Sequence, residues 1–225
     1  MAPFLYSILA TAALLTTTTL AAPAPTTQRS RPHNPPSTWH RYSTSQLQTL
    51  KPRMPTLEGL APNTNVTLFV PVLGVGTQNY TCNGTDFVQT EAASGALAQL
   101  HDITDLLMSG RADANTLAQQ YVEDGRLAGL GPQVGLHYFS ADNVPVFNLT
   151  GAPEPAVLAG AKIASVDAPD AKMDVPWLFL LDAQNGVSQK LNTVYRVDTE
   201  KGVNHREKCR VEGKTKEKHY AAQYW

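Results

Sequence analysis

The sequence predicts a mainly β chain, an antiparallel β-sandwich or barrel-like domain with a short helical insertion. Three observations carry that expectation. From Val66 to the C-terminus, short runs rich in β-branched and aromatic residues recur between Gly, Pro, Asn and Asp clusters. One cluster, Asn185-Gly186, is a strong hairpin signal. No long helices recur between the runs to serve as the crossovers of a parallel sheet, and there is no internal repeat.

The 225 residues suit one domain plus tails, and 42% hydrophobic content can fill a core. A net charge of -1 excludes a whole-chain polyelectrolyte role and gives no nucleic-acid footprint. The charge is unevenly placed. Residues 23–53 carry Arg29, Arg31, Arg41, Lys51 and Arg53 and no acid, and residues 201–218 are also basic. The stretch between is acidic, so the ends can fold back onto it or reach an anionic polymer outside.

Residues 1–22 read as a secretory signal peptide ending at Ala21-Ala22. Four threonines, Thr16 to Thr19, dilute the apolar run, which disfavours a membrane anchor, and no second apolar span follows. The expected localisation is therefore secreted and extracellular. In that compartment Cys82 and Cys209, the chain's two cysteines, most simply form one disulfide.

Residues 23–55, rich in Pro, Thr, Ser and Arg, are expected to be a flexible segment in which only Trp39 and Tyr42 are apt to dock. The β-rich domain is expected over 56–225. Val66–Val70 reads as its first strand, between Pro62 and Pro71. Gly76–Cys82 reads as the second. Its alternation puts Gln78, Tyr80 and Cys82 on one face and Thr77, Asn79 and Thr81 on the other. Gly74 and Gly76 suit close backbone approach or a bulge at its start. Residues 92–108 fit either a helical stripe (Ala93, Leu97, Leu100, Thr104, Leu107) or a strand over Ala96–Ile103. Residues 109–131 read as the insertion, with Asp113 capping a short helix that Gly125 and Gly129 end. Further strands are expected at His137–Phe139, Val144–Leu149, Lys162–Val166, Val175–Leu181, Leu191–Val197, Cys209–Val211 and His219–Trp225.

Four N-glycan acceptors are present: Asn65, Asn79, Asn83 and Asn148. A glycan requires an outward Asn, so use of Asn79 would turn Gln78, Tyr80 and Cys82 inward.

Gly76 to Cys82 (GTQNYTC), then Gly135-Leu136-His137-Tyr138-Phe139, Val175-Pro176-Trp177-Leu178, and Val194-Tyr195-Arg196-Val197-Asp198-Thr199 before Cys209 occur in that order. Together they resemble the secreted fungal and bacterial domain-of-unknown-function family 3455, over residues 55–225. The resemblance favours the strand reading of Ala96–Ile103. It implies no activity and no catalytic residues. A malate dehydrogenase label carried by some relatives finds no support, because Gly74-Val75-Gly76 lacks the third glycine and the βαβ unit of a dinucleotide site.

Candidate chemistry is sparse. The histidines are His33, His40, His101, His137, His205 and His219, with no HxH or HExxH, so no metal and no cofactor is expected. His101 with Asp102 and Asp105 could form an acid/base cluster, though His101 and Asp102 point to opposite faces of a strand. There is no GxSxG, no identifiable carboxylate pair and no phosphate or calcium loop. Gln78, Tyr80, His137 and Trp177 are the ligand-pocket candidates. Trp39, Trp177 and Trp225 are possible sugar platforms, Trp225 being the most exposed by position. Lys214, Lys216 and Lys218 alternate on one strand face, which suits an anionic glycan or a charged edge that blocks aggregation. The expected function is non-catalytic binding of a ligand or an extracellular polymer such as a polysaccharide. The alternative is a secreted enzyme acting on glycans or small molecules with its pocket near Gln78 and His137.

Overall fold

The computed structural model describes residues 42–90, 95–205 and 207–225. The expected signal peptide, residues 23–41 of the flexible segment, Trp39, His33 and His40 lie outside the described residues. Among those residues nine strands follow in order: β1 Val72–Cys82, β2 Phe87–Gln89, β3 Ala96–Asp102, β4 Gln133–Phe139, β5 Pro145–Asn148, β6 Val157–Val166, β7 Trp177–Asp182, β8 Thr193–Lys201 and β9 Thr215–Tyr224. Three short α-helices accompany them, α1 Thr44–Gln48, α2 Thr104–Met108 and α3 Leu117–Asp124, with a 3-10 turn at Lys51–Arg53.

Every named strand pairing is antiparallel. β1 decides the architecture. One edge pairs with β3 from Val72↔Asp102 to Gln78↔Ala96, and the other pairs with β9 from Val72↔Tyr224 to Thr81↔Thr215. With both edges filled, β1 and β3 to β9 close into a barrel of eight strands, and β2 only prolongs one edge of β1. Of the two architectures expected, the barrel is the one that forms. The two glycines of β1 permit the closure. A Cβ on Gly74 would lie 2.4 Å from the Tyr224 ring, and one on Gly76 would lie 1.9 Å from the Leu97 carbonyl oxygen.

Register sorts the side chains. Gly74, Gly76 and Gln78 share the inner face with Leu100, Ala98 and Ala96 of β3, with His137 of β4, Phe147 of β5 and Leu158 of β6, and with Tyr220 and Tyr224 of β9. Leu100 and Leu158 are wholly inaccessible there. A second apolar layer lies outside the barrel. Leu73, Trp177, Tyr195, Val197 and Ala221 of the wall meet Ile103, Leu106, Leu107 and Leu117 of the α2–α3 region. Closure leaves none of the eight barrel strands with an unpaired edge, and the helices cover one side of the sheet.

Several expectations are corrected. Val66–Val70 is no strand; the carboxamide of Gln48 takes the place of a neighbouring strand. Its Nε2 donates to the Leu68 carbonyl and its Oε1 accepts from the Leu68 N–H, both at 3.1 Å. The two readings of 92–108 are each partly right, because β3 ends at Asp102 and α2 begins at Thr104. Asp113 does not cap α3. Its Oδ1 takes the Asn115 N–H, while the free Ala118 N–H of α3 is satisfied by Asp198 of β8 at 3.0 Å, a partner 80 residues away. Gly125 does end α3, in the left-handed region at φ 65°. Cys209–Val211 is irregular chain leading into a turn before β9 rather than a strand. Asn185-Gly186 sits in a longer loop, but the strands it joins, β7 and β8, are paired as a hairpin requires.

The largest correction concerns the flexible segment. Its end, residues 42–55, is folded against the body. Ser43 and Gln46 form a capping box on α1. Leu50 and Met54 are 1% and 7% exposed within the outer apolar layer. Tyr42 donates to Asp105, and Arg53 donates to the Leu107 carbonyl. Low apolar content suggested a free arm, but two well-placed apolar residues and a few long-range polar anchors suffice to dock it.

Candidate functional site

At one end of the barrel β1 and β8 begin and β3, β5 and β9 finish. The space they leave is a cavity of about 510 Å³. Its floor is the inner face of the barrel, with Leu100, Phe147, Val194 and Tyr224. One wall is the Val66–Val70 stretch, and Leu47 and Met54 of the docked N-terminal strap close over it. The wall is fastened by side-chain bonds from the strap. Besides Gln48, Lys51 Nζ donates to the carbonyl oxygens of Thr64 (3.3 Å) and Val66. Positions without ladder hydrogen bonds thereby become a fixed rim.

The cavity is mostly apolar, and its charged lining residues are mostly engaged. Lys190 and Glu154 lie 3.9 Å apart at the exposed rim, a distance and setting of little energetic value. Asp102 Oδ1 accepts the Thr104 N–H at 2.8 Å, which starts α2. Burial raises the Asp102 pKa above the usual carboxylate range, against the hydrogen bonds from Thr104.

Behind the floor lies a sealed polar group. His137, 3% exposed, stacks on Phe147 with ring centroids 4.3 Å apart and planes 7° apart. Its Nδ1 lies 3.0 Å from the Val146 carbonyl oxygen, which fixes the donor there and leaves the lone pair on Nε2. Burial lowers the His137 pKa to about 4, and Arg196 acts in the same direction. The Tyr220 and Tyr224 hydroxyls are 3.0 Å apart, and burial raises both phenol pKa values. At neutral pH all three rings are uncharged, so the group rigidifies the barrel and offers no activated nucleophile.

The unfolded chain takes up a proton at His137 near pH 6.5, while the native site resists to about pH 4. The neutral site stabilises the fold fully above pH 6.5, and that contribution fades as pH falls toward 4, by ~3 kcal/mol in total. Asp102, Asp174 and Asp198, whose pKa values burial raises, act with the opposite sign, so the difference between two proteins isolates the histidine. His137→Gln should flatten the loss of stability between pH 7 and 4 relative to wild type in urea titrations. Parallel profiles would refute the assignment.

The sequence candidates are placed as follows. Gln78 and His137 both face the barrel interior, Tyr80 reaches the segment that follows β8, and Trp177 packs in the outer apolar layer. None of the four lines the cavity. Gln78 Oε1 accepts from Gln89 Nε2 at 3.2 Å, and its buried Nε2 has no hydrogen-bond partner among the described residues. Tyr80 donates to the Gly202 carbonyl at 2.7 Å and accepts from the Asn204 N–H at 3.2 Å. The chain beyond β8 thus seals the opposite barrel end, held by the Cys82–Cys209 disulfide with Cα atoms 5.9 Å apart.

The His101 cluster is dispersed. His101 Nδ1 lies 3.2 Å from the Gly131 carbonyl oxygen, Asp102 binds Thr104, and Asp105 binds Tyr42. Trp225 is 8% exposed rather than open, and its Nε1 donates to Gln223 at 2.9 Å. Lys216 and Lys218 of the basic strand share Glu207. Among the described residues no group of three His, Cys, Asp or Glu is placed to hold a metal ion. Acceptor residues Asn65 and Asn83 are exposed, while Asn79 and Asn148 are half-buried. Sequence reasoning missed the floor residues Leu100, Phe147, Val194 and Tyr224, because an apolar residue under a cavity and one inside a packed core look alike in a strand pattern.

Comparison with curated proteins and with solved structures returns no match. A family profile described as protein of unknown function, DUF3455, matches residues 62–225, most of the chain, and the protein belongs to that family.

Proposed function

We propose that the protein is a secreted, N-glycosylated, disulfide-closed barrel that binds a small apolar molecule without transforming it. The cavity of about 510 Å³ at the open barrel end carries this reading. Its size lies within the roughly 300–1,000 Å³ of small-molecule sites, and barrel mouths are a recurrent place for them. Leu47, Val66, Phe69, Val70 and Leu191, each partly exposed in the lining, supply an apolar and aromatic surface, so the ligand class is a compact hydrocarbon-rich molecule. Chemistry at Gln78 and His137 is disfavoured because neither lines the cavity. Binding of an anionic polysaccharide along β9 is weakened by Glu207, which pairs with Lys216 and Lys218. No helix among the described residues is long and apolar enough to cross a membrane.

Titration with a neutral solvent-sensitive fluorophore such as N-phenyl-1-naphthylamine tests the site. One saturable site per chain is expected, and Val70→Trp, which places an indole in the lined space, should weaken it at least about tenfold. Non-saturable binding, or unchanged affinity in folded Val70→Trp, would overturn the proposal.

A further inference from the structure

Part of the outer wall of the barrel, on β3 and β4, is exposed. Leu97 of β3 is 52% exposed and Leu136 of β4 is 39% exposed. Leu97 pairs directly with Tyr138, so Leu136 is its diagonal neighbour, within about 7–8 Å and side-chain reach. Single exposed leucines are ordinary, but here two and a half-buried tyrosine adjoin on one face. On β5 the residue paired directly with Leu136 is Asn148. It shares the outer face with Leu136, because Phe147 beside it faces inward, and it opens the acceptor Asn148-Leu149-Thr150. Its Oδ1 accepts the Thr150 N–H at 3.1 Å, which leaves the Nδ2 amide as the free end.

We infer that Asn148 carries an N-glycan whose first sugars lie over Leu136, Tyr138 and Leu97 and keep this wall from pairing with a second molecule. The inference rests on the secreted reading above. In the transfer, Asn148 Nδ2 attacks the anomeric carbon of a sugar carried on a diphosphate lipid. The C–N bond forms, the C–O bond to the diphosphate breaks, and the nitrogen gives up one proton. Register then sets the attached sugar beside Leu136, and its C–H face can stack on the Tyr138 ring. Asn83 does not serve this purpose, because it lies in the turn after β1 at the closed end, and Asn65 lies on the stretch that leads into the cavity wall.

The test uses the full chain secreted from a glycosylating eukaryotic host. Intact mass is compared for wild type, Asn148→Gln and Asn83→Gln, and light scattering follows association with rising concentration. Asn148→Gln is expected to lose one glycan mass and to shift from monomer toward dimer or larger. Asn83→Gln should stay monomeric, and adding Leu97→Thr and Leu136→Thr to Asn148→Gln should restore the monomer. If no sequon carries a glycan, the secreted reading fails and the inference with it. If other sequons are modified but Asn148→Gln loses no mass, the inference alone fails. If Asn148 is modified and its loss leaves a monomer, the glycan does not cover the wall.

Discussion

Cys82→Ala is expected to lower unfolding stability by about 4–5 kcal/mol, the chain-entropy value for a loop of this length. The bond joins residues 127 apart. It ties the end of β1 to the segment that seals one barrel end. The Cys82 N–H donates to the Lys214 carbonyl at 2.8 Å, and the Cys209 N–H donates to Thr85 at 2.9 Å, so native geometry holds both partners independently of the sulfurs. The loss should therefore fall mainly on the unfolded chain, and the native barrel should persist. The double variant Cys82→Ala/Cys209→Ala should cost little more than either single change, because both remove one bond. Urea unfolding of the three variants measures this. Additive losses would mean that each cysteine contributes by its own packing.

The second large effect concerns the strap. Leu50→Ala should cost roughly 2–5 kcal/mol, as for other leucines cut back in a tight core. Leu50 is 1% exposed, between the outer wall and the α2 region. Deletion through Arg53 should cost more still, since it also removes the Gln48 and Lys51 bonds that hold the cavity wall. For a domain of this size, a loss of 1 kcal/mol lowers the thermal midpoint by about 2–4 °C. The expected drop in either variant is thus of many degrees. The composition of the segment taken alone argues for a nearly unchanged midpoint, and a value within about a degree of wild type would vindicate that simpler view. Fluorophore binding read on the same variants separates the strap's structural role from its place over the cavity.

The alternation in β3 shows what a local pattern can reveal. Ala96, Ala98 and Leu100 are buried and Leu97 and Gln99 exposed, as a period of two demands of a strand with one wet face. Gln78 and Cys82 turned inward for the same reason. By contrast, the Val66–Val70 run has strand composition, yet Gln48, 20 residues earlier, supplies its partner, and no spacing rule reveals that. His137 was legible as a residue of interest, but whether it lined a cavity or a sealed interior depended on what Phe147 and Tyr224 placed around it.

By itself the sequence determined the strand-rich class, the inward and outward faces of its best strands, the lone cysteine pair and the family. Each of these depends on residue type or on neighbours a few positions away. Closure into a barrel, the docked strap and the cavity at its mouth were decided only by tertiary structure. They require β1 to meet β9 across more than a hundred residues, and α3 to take its cap from β8. Contacts of that separation depend on which surfaces fit together once the sheet has curved, and a one-dimensional pattern carries no term for that fit.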